Sequence, residues 1–259
     1  ERPTVTYSPL QGDQFIQRFL SPLPLKNITL LYHSGWSIER IFQLCFQRMN
    51  NLKNAPGASG PTPKKEPQFK KFLQTIKYLR ELQSQDVLNL SYKNKNESPQ
   101  IILHITNGGK NLEAAQKFAR ILNVEPGREQ YVISFSPKQN ELGQIRVVTR
   151  SLLGVLFYLS QGVEAPEQDV KEGKVTRTLK KSGEVFDWKE MTGDLLRVRS
   201  KSNRPDNATL RVFYRGTWFF IQDSDLKSKS TFSLLSQIFS LQAGKIKDNS
   251  PLLTLPVGQ

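Results

Sequence analysis

Apolar and polar positions alternate most clearly between residues 194 and 244. Leu196, Val198 and Ser200 point to one side of an extended chain, and Arg197, Arg199 and Lys201 to the other. Leu210, Val212 and Tyr214 repeat the pattern against Arg211, Phe213 and Arg215. Between the two runs, Arg204-Pro205-Asp206-Asn207 is rich in turn formers. The pattern predicts an antiparallel pair over 195–201 and 210–215, apolar on one face and basic on the other. Arg215-Gly216 then turns the chain into Trp218, Phe219, Phe220 and Ile221, a run apolar enough for a central strand covered on both faces. Asp223-Ser224-Asp225 ends that strand. Ser230 or Thr231 is expected to cap a helix carrying Phe232, Leu235, Ile238, Phe239 and Gln242, with Gly244 stopping it.

Upstream, helical spacing recurs. Phe15, Ile16, Phe19 and Leu20 mark a short amphipathic helix over 11–20, broken by Pro22 and Pro24. Residues 28–32 read as a strand. Ser37 is placed as the N-cap of a helix with Ile38, Ile41, Phe42, Cys45, Phe46 and Met49 on one face. Residues 50–67, rich in Pro and Gly, read as a linker or an ordered loop. An amphipathic helix follows over 68–85, with Phe69, Phe72, Leu73, Ile76, Leu79 and Leu82 inward. A strand pair is predicted over 87–92 and 101–106, a helix capped by Asn111 and running to Leu122, and strands over 131–135 and 145–148. Residues 151–160 form a nearly all-apolar helix suited to the core. An acidic loop over 161–173, an edge strand over 174–179 and a turn at Ser182-Gly183 complete the middle of the chain. Residues 1–9 read as an extended arm and 252–255 as a short final strand. The expected fold is α+β or mixed α/β: an antiparallel or mixed sheet with packed helices, then a strand-rich C-terminal region with one helix. It forms a single domain or two closely packed subdomains, with candidate boundaries at 50–67 and 161–173.

Charge narrows the picture. The chain of 259 residues has 37 Lys and Arg against 23 Asp and Glu, a net charge of +14. That balance suits an anionic partner such as nucleic acid, anionic lipid or an acidic protein, and equally an ordinary solvated basic surface. The lone cysteine, Cys45, excludes an internal disulfide. The longest apolar run, 152–159, is interrupted by Gly154 and is far short of the roughly 18 residues a membrane span needs.

Signs of chemistry are sparse. His33 and His104 sit among apolar neighbours, as hydrogen-bonded structural histidines do. Cys45 lies on an apolar helix face, where a thiol is buried and inert, so a Cys45–His33 pair is disfavoured. Thr106-Asn107-Gly108-Gly109-Lys110 precedes a helix and has the form of a phosphate cradle, although a Gly-Gly turn there is common. Asp223 and Asp225 have the spacing of a metal-binding carboxylate pair, but turn and cap roles suit them better. The strongest functional signal is the basic face formed by Arg197, Arg199, Lys201, Arg211 and Arg215, with Phe213 among them. Arginines beside an exposed aromatic are used by single-stranded nucleic-acid platforms. They are also what the solvent face of a sheet looks like in a basic protein, and no nucleic-acid-binding signature accompanies them.

Two stretches carry a resemblance. One runs from Leu30-Leu31-Tyr32-His33-Ser34-Gly35-Trp36-Ser37-Ile38 through Asn54-Ala55-Pro56-Gly57-Ala58-Ser59-Gly60-Pro61-Thr62-Pro63. The other runs from Tyr214-Arg215-Gly216-Thr217-Trp218-Phe219 through Ser228-Lys229-Ser230-Thr231-Phe232-Ser233-Leu234-Leu235 to Leu241-Gln242-Ala243-Gly244. Both resemble segments of bacterial envelope lipoproteins, some of which are subunits of secretion-system outer-membrane complexes, including the Dot/Icm type. The resemblance implies an exported protein at the periplasm and outer membrane, anchored by a lipidated cysteine upstream of Glu1. It further implies a structural or adaptor role among other protein subunits, without catalysis or a cofactor. Pro56, Pro61 and Pro63 would then form a protein-contact loop, and the basic sheet face a second contact surface. The alternative is an anion-binding module for acidic lipid or nucleic acid, nucleic acid being the less favoured. An enzyme acting through His33 or Asp223 is the least supported reading.

Overall fold

The computed structural model describes residues 12–95, 98–135 and 143–243. Three helices open it: α1 (Gly12–Leu20), α2 (Leu25–His33) and α3 (Ile38–Cys45). The short strands β1 (Phe46–Met49) and β2 (Leu52–Lys53) follow, then a 3-10 turn at Pro56–Ser59 and helix α4 (Lys70–Ser84). The hairpin β3 (Leu88–Lys95) and β4 (Ser98–Ile105) leads to α5 (Glu113–Leu122), β5 (Gln130–Ser134), β6 (Gln144–Thr149) and α6 (Leu152–Ser160). Two short helical segments, α7 (Glu167–Lys171) and α8 (Lys189–Thr192), precede β7 (Arg199–Lys201), β8 (Ala208–Tyr214), β9 (Thr217–Gln222) and α9 (Leu226–Ala243). The fold is α+β.

Six strands form a mixed sheet in the order β2-β1-β6-β5-β4-β3. Only β5 and β6 run parallel within it. Period-two alternation sets its core face: Ile101, Leu103 and Ile105 of β4 register with Tyr92, Leu90 and Leu88 of β3. Phe72, Ile76, Leu79 and Leu82 of α4 and Phe118 of α5 are buried in the same core, and the Phe118 ring meets Tyr131 of β5 edge-on at 5.6 Å. The second sheet is antiparallel, in the order β7-β9-β8. It shares the core rather than owning one, because Leu195, Leu196, Ile221, Leu234 and Ile238 belong to the same buried cluster. The 161–173 segment is tied to that sheet's entry: Glu164 N–H donates to the Val198 carbonyl, and Val198 N–H to that of Gly162.

Several elements differ from what their local pattern predicts. Residues 28–32 are helical, within α2. Leu25, Ile28 and Leu31 fall three apart and are buried, and Pro24 pre-sets the backbone ahead of the first turn. The helix capped by Ser37 stops at Cys45, and Phe46–Met49 is extended because it pairs with β6 and β2. No strand forms over 174–179; Leu179 makes single bridges to Lys65 and Val185. The 195–201 and 210–215 segments are not partners, because β9 lies between β7 and β8 and bonds to both. The apolar side of β8 is therefore not buried: it ends the sheet, and Val212 is 63% and Tyr214 62% exposed. Helix α9 begins at Leu226, ahead of Ser230 and Thr231, because the Asp225 carboxylate accepts the Ser228 N–H at 3.0 Å as an N-cap. It turns Leu234 and Ile238 inward and leaves Phe232 and Phe239 substantially exposed. The expected arm at 1–9, the stop at Gly244 and the strand at 252–255 lie outside the described residues.

Candidate functional site: a basic cleft beneath a pinned loop

The small sheet brings part of the predicted basic face together. Register places Arg199 and Arg211 on either side of Phe220, and Lys201 and Phe213 on either side of Trp218. These side chains share one face. Lys201 Nζ lies 5.8 Å from the centre of the Phe220 ring, and the Phe213 and Trp218 rings are 5.0 Å apart. Arg215 is not part of this face. It occupies the β8–β9 turn with φ 49°, followed by Gly216 at φ 79°, the left-handed pair that a two-residue hairpin requires. Arg197 precedes β7, where its N–H donates to Ser228 Oγ.

The Pro-rich loop is an ordered part of the core's rim, and the residue that fixes it is Arg150. Its side chain is fully buried with no carboxylate partner among the described residues. Instead, Nε donates to Ser59 Oγ at 3.0 Å, one terminal nitrogen donates to the Gln43, Leu44 and Phe46 carbonyls, and the other to the Asn54 carbonyl. The guanidinium carbon sits 3.9 Å from the centre of the Tyr158 ring. Arg150 thus satisfies carbonyls left open where α3 ends, and the end of a helix is where a cation is favoured. Burial lowers its pKa to about 10, which still leaves a cation at neutral pH. Asn54 completes the network by donating to the Gln43 and Phe46 carbonyls at 2.8 Å each. At the loop's far end, Leu179 N–H donates to the Lys64 carbonyl and Glu66 N–H to that of Leu179. Within the loop, Pro56 and Pro63 are half-buried and Pro61 is exposed.

Between this loop, the β2 edge, α4 and the C-terminal end of α5 lies a cavity of about 1380 Å³. Among the described residues its lining carries Lys53, Lys64, Lys65, Lys70, Lys71, Arg120, Lys180 and Lys181 against a single acid, Glu66. Lys70 and Lys180 reach Glu190 at 3.7 Å. The other six cations have no ion pair among the described residues. Apolar positions interrupt the charge: Leu179 is 45% exposed, Ile121 is half-buried and Phe69 forms part of the wall. Such a surface can hold several anionic groups at once while burying intervening apolar ones. No sequence-predicted basic residue lies here. The available signal was the run Lys64-Lys65 and Lys70-Lys71 flanking Pro67, whose meaning depends on α5 and residues 179–181 folding over it.

The remaining candidates have structural uses. His104 Nε2 lies 2.9 Å from Ser91 Oγ, on the sheet face opposite Leu103 and Ile105. His33 is exposed at the end of α2, whereas Cys45 is fully buried, so the two do not form a dyad. Burial pushes the Cys45 thiol up to about 12, where it is not a nucleophile at neutral pH. Gly109 is needed for packing, since a Cβ there would approach Val87 Cβ to 2.7 Å. Its N–H is taken by Thr106 Oγ1 and that of Lys110 by the Thr106 carbonyl, so two of the loop's amides are already used within the loop. Asp223 accepts from Thr209 Oγ1 and Lys229 Nζ, while Asp225 caps α9. The fold and cleft define an α+β protein with a concave polycationic surface. Compared with known protein families, curated proteins and solved structures, the chain matches none.

Proposed function

We propose that the chain is a non-catalytic adaptor subunit of a membrane-associated bacterial envelope assembly, and that it holds an acidic protein partner in its basic cleft. The observation that carries this reading is the cleft's composition: six cations without an ion pair among the described residues, around a partly apolar floor. Unneutralised positive charge in a concavity attracts anionic groups, and the apolar floor suits a polypeptide that carries both kinds of side chain. Among the described residues the floor has no freely exposed aromatic ring on which a base would stack, which favours protein over single-stranded nucleic acid. The envelope placement draws on the resemblance of the 30–63 and 214–244 segments to envelope lipoproteins.

Binding of poly-glutamate, at low and moderate salt, tests the cleft. Reversing Lys64, Lys71 and Lys181 to Glu is expected to weaken it at least about tenfold with an unchanged unfolding midpoint. Unchanged affinity would remove the cleft from the reading. Fractionation of the natural precursor tests the placement: a lipidated product in the envelope is expected, and a leaderless cytosolic product overturns it.

A second reading, an anion-binding module for nucleic acid or acidic lipid, draws on the row of Arg199, Lys201 and Arg211 beside Phe213. It requires that alanine at Arg197, Arg199 and Arg211 weaken binding to oligonucleotides or anionic vesicles. Full retention in both assays sinks it.

A further inference from the structure

We infer that the outer edge of β8 accepts an extended strand from a partner protein, one whose side chains alternate between acidic and apolar. No residue of this edge lines the cleft.

The hairpin fixes which backbone groups are free. Arg215-Gly216 closes it with Tyr214 opposite Thr217, and Val212 lies opposite Phe219 two residues on. In an antiparallel pair, bonded and non-bonded positions alternate. A two-residue hairpin makes the closing pair a bonded one, so Tyr214 and Val212 bond to β9. The N–H and C=O of Arg211 and Phe213 therefore point outward, and β8 is the last strand of its sheet among the described residues. Soluble proteins guard such edges with short strands, prolines, bulges or a covering segment. The sheet's other edge is guarded: β7 spans only Arg199–Lys201, and Val163 bridges to Val198 just before it. Strand β8 spans Ala208–Tyr214 without proline, and its register shift lies at Ala208/Leu210, leaving 210–214 regular.

Side chains along the edge state the partner's chemistry. Val212 is 63% and Phe213 57% exposed. An added strand would place alternate side chains on the two sheet faces. On one face it meets Arg211 and Phe213, with Arg199, Lys201 and Trp218 further in, so an acidic residue belongs beside Arg211. On the other it meets Leu210, Val212 and Tyr214, so apolar residues belong there. A second copy of this chain is disfavoured as occupant, since each copy carries a net charge of +14.

The test uses the full chain and a short synthetic peptide of alternating Glu and Val. Binding should slow amide hydrogen exchange at Arg211 and Phe213. Phe213→Pro removes one outward N–H without removing a bond to β9, and proline is tolerated on an edge strand. Phe213→Ala keeps that N–H. The proline variant should bind at least about fivefold more weakly than the alanine variant, the worth of roughly one hydrogen bond. Equal affinities, or slowed exchange only around the cleft, overturn the proposal. So does displacement of the peptide by oligo-dT, or concentration-dependent dimerisation that Phe213→Pro abolishes. Should the proline variant fail to fold, the exchange measurement on the unaltered chain still decides.

Discussion

The cleft and the small sheet are both basic, yet their cations are employed differently. On the sheet, Arg199 and Arg211 flank Phe220, which is only 8% exposed although it lies outside the shared core. Aliphatic stems of Arg and Lys can cover a ring while the charged heads stay in water. The nearby Asp225 carboxylate offsets part of that charge. In the cleft, cations from four segments converge with Glu66 as the sole lining acid among the described residues. The sheet's cations therefore have a use inside the molecule, and most of the cleft's do not. Charge that no internal contact explains is the better guide to a partner.

The largest effect that bears on this contrast comes from a third kind of cation. Arg150 fixes the loop that walls the cleft and touches nothing on the small sheet. Replacing it with Met leaves buried carbonyls of Gln43, Leu44, Phe46 and Asn54 without this donor, at roughly 1–3 kcal/mol for each one left unsatisfied. Arg150→Met should lower stability by at least about 3 kcal/mol in denaturant unfolding and abolish poly-glutamate binding. A loss under about 1 kcal/mol would mean that the network is not what holds the loop.

Smaller effects should separate the two surfaces. The Lys64, Lys71 and Lys181 reversal should cost binding at least about tenfold while shifting stability by no more than about 0.5 kcal/mol. Alanine at Arg199 and Arg211 should do the opposite: stability falls by about 1–2 kcal/mol as Phe220 is uncovered, and poly-glutamate affinity barely moves. If the sheet variant keeps its unfolding midpoint, the covering role assigned to those arginines fails.

The same contrast explains what was legible in the chain. Elements whose pattern was long and self-consistent were predicted correctly: α4, α6, the β3–β4 hairpin and the aromatic strand β9. Period two also put Arg199, Lys201 and Arg211 on one face. The sequence misled where partners are remote. Residues 28–32 are apolar apart from Thr29, and such a short run does not separate strand from helix. Phe46 and Met49 continue the helical spacing of α3, but β6 and the Arg150 carbonyl contacts pull them into a strand. The order β7-β9-β8 depends on a long-range choice of neighbour that alternation cannot encode. The cleft was invisible for the same reason, since residues 53, 64–71, 120 and 179–181 become neighbours only in the folded chain.

The smallest effect concerns the acid that moderates the sheet's charge. Burial alone would raise the Asp225 pKa, but hydrogen bonds from the Ser228 N–H and Oγ, with Arg199 and Arg197 nearby, bring it below its usual value of 3.8. A carboxylate with a depressed folded-state pKa binds fewer protons folded than unfolded. Its contribution to stability is therefore present above its ordinary pKa and lost as pH falls through the lower, folded one. Asp225→Ala should cost about 1 kcal/mol at neutral pH by removing the N-cap of α9. The gap between variant and parent should shrink below pH 3.8, where protonation increasingly weakens the parent's own cap. Unfolding midpoints across an acid series measure this directly. A gap constant with pH would mean that Asp225 acts through its shape rather than its charge, and the sheet's arginines would then be as unneutralised as those of the cleft.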